Sequence, residues 1–415
     1  MRGYAGTGKT YCIQKVIKSL QQLNSKIKIA VCAPTHRAVH VLQEMALHAG
    51  LKVDITTLHS LLHVMPGEYD ETGRPKLKPN KWSREAFYRD YDLVVIDEAS
   101  MIGEELMELI ERENTATIFM GDPAQLPPIG EEESPVFKLP TGYELTQVMR
   151  YSGAIADYVT SIRNQINARI PPRLNTIGNI TKCNSQEWNK WLIDEFHRAT
   201  DPYAVRAIAW TNRRVNAINK LIRKSIEGVG DEEPYIKGER LVAKEPVIVR
   251  SENDVNRRII LMHSCAECEV KAVKEDALPY HSRYLNIYRL NIETDLGTEA
   301  WILTIHPQSW KTAKKMVLEW KQEILLMEPQ NRKKAWAAFY EFLETFNLVT
   351  QSGGIANRLN YAYATTCHQS QGGTFKKVFV DHTDILVCRD GKMRNQLLYV
   401  ADSRASEHLY ALTKF

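Results

Sequence analysis

The residues Gly3-Tyr4-Ala5-Gly6-Thr7-Gly8-Lys9-Thr10 have the spacing of a phosphate-binding loop, Gly-x-x-x-x-Gly-Lys-Thr. Such a loop turns backbone N–H groups toward phosphate oxygens, where the following helix points its positive end. In this reading Gly3, Gly6 and Gly8 shape the cradle, Lys9 reaches the outer phosphates of ATP, and the Thr10 hydroxyl binds Mg2+. A second string, LVVIDEAS from Leu93 to Ser100, is an apolar strand that delivers Asp97 to its carboxyl end. Asp97 is expected to face the metal and Glu98 to orient the attacking water. The alternative is an acidic helix cap assisted by Ser100. Gln125, in the stiff loop MGDPAQLPPI, can hydrogen-bond a terminal phosphate or its water without bringing charge.

Two arginines stand outside this group: Arg150 ends LTQVMR, and Arg404 lies in LLYVADSRA. Fixed guanidinium groups stabilise the negative charge of a phosphoryl group in transit. An arginine from a second domain would couple domain closure to hydrolysis; a surface ion pair is the plainer alternative for each. A further set is polar: Pro34, Thr35 and His36 in APTHRA, Thr57 and His59 in TLHSLL, and Thr366, His368 and Gln371 in ATTCHQSQGGT. Small hydroxyls and imidazoles bind phosphate oxygens and sugars without demanding a base sequence. Each histidine taken alone reads equally as a polar surface residue. Gly372-Gly373 permits close approach of backbone to a ligand.

The elements that must position these residues alternate between short apolar runs and amphipathic helical patterns. Tyr11 to Leu23 places Ile13, Val16, Ile17, Leu20 and Leu23 toward one helical face. KIKIAVCA is a buried strand, HRAVHVLQEMALHAG a helix closed by Gly50, and YDLVVIDE and TATIFMGD are further strands. Strands alternating with helices predict an α/β fold on a doubly wound parallel sheet. The pattern breaks between Val64 and Asp90, where a turn centred on Glu71-Thr72-Gly73 predicts a projecting hairpin. Lys76, Lys78, Lys81 and Arg84 lie on its second arm, with Trp82 beside them. A second α/β pattern starts near Tyr151 and is interrupted by strand-like runs and a long helical stretch from Lys311 to Phe346. The expected domains are 1–150 with a hairpin insertion at 65–90, then 151–235 with 349–415, and a β-rich insertion at 236–348.

The 415 residues, 44% hydrophobic and 25% charged, are enough for two or three globular domains. A net charge of +4 is compatible with a nucleic-acid groove but does not argue for one. The seven scattered cysteines do not form a disulfide framework, and the lone pair Cys265 and Cys268 lacks the second pair that a zinc site needs. No apolar run is long enough to span a bilayer, so no membrane partner is expected. The expected setting is the cytoplasm of a bacterial or phage-infected cell.

Taken in order, these strings resemble the superfamily 1 DNA helicases, in the branch of RecD and the Dda-like phage helicases. GYAGTGKT is similar to the first motif of that family, APTHRA to motif Ia, VVIDEAS to the second and GDPAQLPPI to the third. LTQVMR is similar to the fourth, TTCHQSQGGTF to the fifth and LLYVADSRA to the sixth. The resemblance runs from Gly3 to Leu412. It implies two RecA-like domains that sandwich ATP and Mg2+, with a strand-separating pin at 65–90 and an SH3-like domain with a helical arm as the β-rich insertion. It also implies a monomeric motor moving 5′-to-3′ on single-stranded DNA, acting at duplex junctions and working with replication or recombination proteins. Arg150 and Arg404 would then serve hydrolysis. Thr35, His36, His59, Thr366 and His368 would touch the strand. The sixth motif departs from the family pattern by placing Asp402 beside Arg404.

A second departure sits at the start. Only Met1 and Arg2 precede the phosphate loop, where the family has a central strand and a glutamine-containing motif. Losing about five buried side chains forfeits roughly 7–15 kcal/mol at ~1.5–3 kcal/mol each, as much as a whole domain's stability of about 5–15 kcal/mol. The expectation is therefore that this strand and motif precede Met1 in a longer form. The competing expectation is a catalytically inactive, N-terminally truncated remnant that binds nucleic acid.

Overall fold

The computed structural model describes residues 1–69, 75–80, 86–128, 130–140, 142–147, 153–201, 203–228, 230, 233–251, 254–280, 283–295, 297–351 and 354–414. Met1–Ile226 with Tyr363–Phe415 makes one compact unit, and Glu227–Ala362 makes another.

The first unit holds two parallel sheets. In the first lobe the strands run in the order Asp54–Thr57, Ile29–Ala33, Leu93–Ile96 and Thr117–Phe119. Val31 lies opposite Val95 on one side and Ile55 on the other. Every residue of IAVCA and LVVI is buried, because helices cover both faces of a parallel sheet, and that is why these strands read as unbroken apolar runs. The strand position before the phosphate loop is held by Met1, Arg2 and Gly3. The Met1 amino group donates to the Phe119 carbonyl at 2.7 Å, and the Gly3 N–H donates to Gly121 at 3.0 Å. Arg2 and Gly3 pair in parallel with Glu144 and Leu145 on the other side.

The helix after the loop, Lys9–Leu23, buries Ile13 and Ile17, with Leu20 packed behind them. Val16 and Leu23 do not join that face as expected; they are 40% and 85% exposed. At 100° per residue they fall to the flank of the line through positions 13, 17 and 20. The helix His36–Ala49 ends at Gly50, whose φ of 63° a side chain would resist.

In the second lobe the parallel order is Ala364–Thr366, Val205–Ala209, Phe375–Asp381, Ala405–Leu412 and Ile180–Cys183. The helix Gly391–Asp402 packs into this lobe and is buried at every residue from Asn395 to Asp402.

The hairpin expected between Val64 and Asp90 has arms Val64–Tyr69 and Pro75–Pro79, paired antiparallel with Val64 opposite Pro79. The Leu77 N–H donates to the Glu105 carboxylate at 3.0 Å, which ties the second arm to the first lobe. The turn centre Glu71-Thr72-Gly73, and Lys81, Trp82 and Arg84, lie outside the described residues.

The second unit is an antiparallel sheet ordered Glu299–Ile305, Arg283–Thr294, Glu267–Tyr280, Arg240–Ala243 and Leu359–Tyr361. The sequence reading ended this insertion at Leu348. The unit instead extends to Ala362, because Leu359–Tyr361 pairs with Arg240–Ala243. The single helical stretch expected from Lys311 to Phe346 is two helices, Pro307–Leu326 and Pro329–Thr345. Each starts on a proline, which tolerates the first helical turn because the N–H it lacks is unpaired there anyway.

Candidate active site

The phosphate loop is built around two left-handed residues, Gly6 with φ 75° and Gly8 with φ 82°. Gly8 caps the helix Lys9–Leu23 without a side-chain hydrogen bond, and no acidic residue occupies the first turn. The first N–H groups of that helix therefore meet no competing negative charge from the chain. Gly3 is fixed by crowding instead: a Cβ there would stand 2.8 Å from Thr7 Oγ1 and 2.9 Å from Lys9 Cγ. Lys9 Nζ donates to the carbonyls of Gly3 at 2.7 Å and Tyr4 at 3.2 Å, so the ammonium is folded over the mouth of the loop.

The second motif meets the loop from the neighbouring strand. The ladder runs one residue past Leu93–Ile96, the Asp97 N–H donating to Cys32 at 2.8 Å. Glu98 then turns into the left-handed region at φ 54°, ψ 42°. For a non-glycine residue that conformation costs about 1–2 kcal/mol, and such strain concentrates at working sites. It leaves Glu98 Oε2 buried with no hydrogen-bond partner. Thr10 Oγ1 donates to Asp97 Oδ2 at 3.1 Å, while Asp97 Oδ1 accepts the Glu98 N–H at 2.8 Å. Burial, and then the neighbouring Glu98 charge, push the Asp97 carboxyl up to about 6, against the pull of Lys9. A divalent cation would relieve that desolvation. The Thr10 hydroxyl and Asp97 carboxylate are hard oxygen donors of the kind Mg2+ takes, usually with one or two carboxylates and the rest from water and phosphate. These residues fit the ion.

Asp122 organises the third motif. Its Oδ1 accepts the Ala124 N–H at 2.9 Å, and its carbonyl accepts the Gln125 N–H at 3.1 Å. This short turn, of the kind aspartate makes with its own backbone, aims Gln125 at the loop. Lys9, Thr10, Asp97, Glu98, Gln125 and Arg404 line one cavity of about 240 Å³. Arg404 reaches it from the second lobe. The guanidinium is 1% exposed and donates to the carbonyls of Val400 at 2.9 Å and Gly373 at 3.2 Å and to Ser403 Oγ at 2.9 Å. Asp402, expected to act on Arg404, instead accepts from His382 Nε2 at 2.9 Å, both side chains being buried. Arg150 lies outside the described residues.

The two lobes interlock along this seam. Ala5, Ala124 and Leu126 of the first lobe belong to the apolar core of the second. Gln396 Nε2 donates to the Gln125 carbonyl at 2.9 Å. Gly372, with φ 75°, comes so close to the start of helix His36–Ala49 that a Cβ would stand 3.2 Å from Ala38 Cβ. That contact brings the turn holding Pro34, Thr35 and His36 against the loop holding His368. Thr35 caps the helix, accepting the Ala38 N–H at 3.3 Å.

Three residues expected at a strand are engaged elsewhere. Thr57 is 2% exposed, accepting the Ser60 N–H and donating to the Ser60 hydroxyl as the cap of a short helix. Thr366 Oγ1 accepts the Gln369 N–H at 3.2 Å within its own turn. Gln371 Nε2 donates to Gln125 Oε1 and the Leu126 carbonyl, both at 3.4 Å, so its amide is held at the seam. His59 and His368 are half-buried, and burial lowers both imidazoles, His59 to about 4, which keeps it neutral near pH 7. Sequence reasoning missed Tyr11, Val41 and Met45 in the cavity lining, and Asp122, Gln396 and Tyr399 at the seam. Tyr11 carried a signal, being a large aromatic directly after Thr10, but it did not distinguish a site from a core face.

Comparison with known proteins follows the same division. Residues 1–131 match the model of the AAA domain, and residues 361–412 match the UvrD-like helicase C-terminal domain. The ATP-dependent DNA helicase dda of enterobacteria phage T4 is 24% identical, over 97% of this chain and 92% of that protein. These matches support a superfamily 1 helicase similar to RecD and Dda. An uncharacterized protein of Acanthamoeba polyphaga mimivirus, R530, is 26% identical to this helicase over 98% of the chain and 93% of that protein. The Bacteroides Pif1 helicase in complex with ADP-AlF3 and single-stranded DNA superposes with a TM-score of 0.51 at 18% identity, covering 100% of this chain and 88% of that one. At that identity the likeness carries the fold, two RecA-like lobes with parallel sheets. Among the described residues of the helicase, no helix is long and apolar enough to cross a membrane.

Proposed function

We propose that the seam hydrolyses ATP and that the helicase uses this to move along single-stranded DNA and open duplex junctions. The observation that carries the reading is the shared cavity: Lys9, Thr10, Asp97, Glu98 and Gln125 on one lobe face Arg404 from the other. Loop N–H groups and Lys9 hold the phosphates. Glu98, whose Oε2 is buried and unpartnered, takes the proton of the attacking water, and Gln125 orients that water or the terminal phosphate. Arg404 stabilises charge on the phosphoryl group in transit. Thr10 and Asp97 would hold Mg2+, which when bound would neutralise phosphate charge. Movement is 5′-to-3′, as the family resemblance implies. The strand runs past Pro34, Thr35, His36, His59 and His368, groups that contact backbone rather than base edges. Binding is then insensitive to sequence and weakens steeply with salt. The inactive alternative loses support because the residues expected for hydrolysis that the structure describes converge on one cavity.

Glu98→Gln tests the reading. The amide keeps the size and removes the base, so ATP binding persists while DNA-stimulated turnover falls by about 10²–10⁴. Turnover near wild type removes Glu98 from this role. The hairpin gives a second test. Replacing residues 67–79 with a short turn lowers strand separation at least about tenfold, while DNA-stimulated ATP hydrolysis stays within about threefold, since the cavity is built elsewhere. Equal losses in a fork-unwinding assay and a phosphate-release assay defeat the assignment of the hairpin as a pin.

A further inference from the structure

Resting on the seam as the site of ATP hydrolysis, we propose that Tyr399 is a positioning residue that ties the phosphate loop to the helix carrying Arg404. Its phenol oxygen accepts the Ala5 N–H at 3.0 Å and donates to Asp122 Oδ2 at 2.7 Å. An ionised carboxylate only accepts, so the phenol proton goes to Asp122 and a lone pair to Ala5. One hydroxyl thus joins the first motif, the third motif and the second lobe.

The mechanical connection continues on both sides. The other oxygen of Asp122 holds the turn that aims Gln125 into the cavity. On the helix Gly391–Asp402, Gln396 lies three residues before Tyr399, on the same side, and grips the Gln125 carbonyl. The Arg404 N–H donates to the Ala401 carbonyl at 3.2 Å, which fixes the finger to the end of that helix. Tyr399 is 1% exposed and packed in the apolar core shared by the lobes. A shift of the phosphate loop is therefore passed to Arg404 through a rigid, buried element instead of being lost in a surface loop. Tyr399 itself does not line the cavity, so it acts through Ala5, Asp122 and Arg404.

The test is steady-state ATP hydrolysis with saturating single-stranded DNA, alongside thermal denaturation. Tyr399→Phe keeps the ring and removes the hydroxyl; kcat falls about tenfold while KM for ATP moves less than about threefold, as for lost alignment. Asp122→Ala lowers kcat at least as far, since it removes the partner of the phenol and also the acceptor of the Ala124 N–H. The Tyr399→Phe/Asp122→Ala double variant loses clearly less than the product of the two single losses, because both remove the phenol–carboxylate bond. A kcat for Tyr399→Phe within about twofold of wild type, or losses that multiply in the double variant, overturns the proposal. Should Tyr399→Phe fail to fold, a kcat for Asp122→Ala within about twofold of wild type overturns it just as well. A wild-type chain with no DNA-stimulated hydrolysis sinks the reading of the seam and the latch with it, whereas an active wild type with an indifferent Tyr399→Phe sinks the latch alone.

Discussion

Lys9→Ala abolishes ATP hydrolysis, by at least about 10³-fold, and leaves single-stranded DNA affinity within about threefold. The first half follows from the position of Lys9. Its ammonium sits over the loop mouth on the carbonyls of Gly3 and Tyr4, and Lys9 is the first residue of the helix Lys9–Leu23. It is also the charge that offsets the raised carboxyls of Asp97 and Asp122. Alanine removes the cation the phosphates need and leaves the buried Asp97 in the cavity wall without it. The second half follows from separation. Thr35, His36, His59 and His368 sit on other turns, and none depends on Lys9 for its hydrogen bonds. Phosphate release and fluorescence anisotropy on labelled oligonucleotide read the two halves independently. Equal loss of both would mean that the loop supports the fold and not the chemistry.

The parts legible in the sequence were those in which one residue type answers one local demand. Gly8 was readable because only glycine takes φ 82° at no cost, and Asp97 because an unbroken apolar run ends on it. The central strands Ile29–Ala33 and Leu93–Ile96 were readable from their lack of alternation, whereas the edge strands Asp54–Thr57 and Ile180–Cys183, only partly buried, were not. What the sequence did not carry was how side chains divide between ligand and scaffold. Thr57, Thr366 and Gln371 have the same chemistry as residues that bind phosphate, yet each satisfies a buried turn or the seam. Nothing in spacing separates a hydroxyl that caps a helix from one that meets a strand. The pairing of Ala5 with Tyr399 was equally invisible, since 394 positions separate them and no periodicity spans that distance. Asp402 shows the opposite error: proximity in sequence to Arg404 suggested an interaction, but the helix end turns it toward His382.

The same geometry makes Arg404 the residue on which the account turns. It lines the cavity with Lys9, Asp97 and Glu98, but among the described residues it donates to Val400, Gly373 and Ser403. Full truncation would orphan the buried Gly373 carbonyl, at about 1–3 kcal/mol, and take one of two donors from Val400, so a loss of activity in Arg404→Ala alone does not separate chemistry from fold. Arg404→Lys keeps a positive charge and a donor but loses the planar fork that spans adjacent phosphoryl oxygens. Each variant should be judged against its own melting curve, at a temperature well below its transition.

The decisive measurement is single-turnover ATP hydrolysis by Arg404→Lys and Arg404→Ala with saturating DNA, set beside equilibrium binding of a non-hydrolysable ATP analogue. Clamping at the seam predicts rates lower by about 10³ or more in the alanine variant and only partly recovered in the lysine variant, with analogue affinity changed less than about tenfold. A folded Arg404→Ala protein that turns over ATP within about threefold of wild type would contradict the account, because hydrolysis would then proceed without the second lobe.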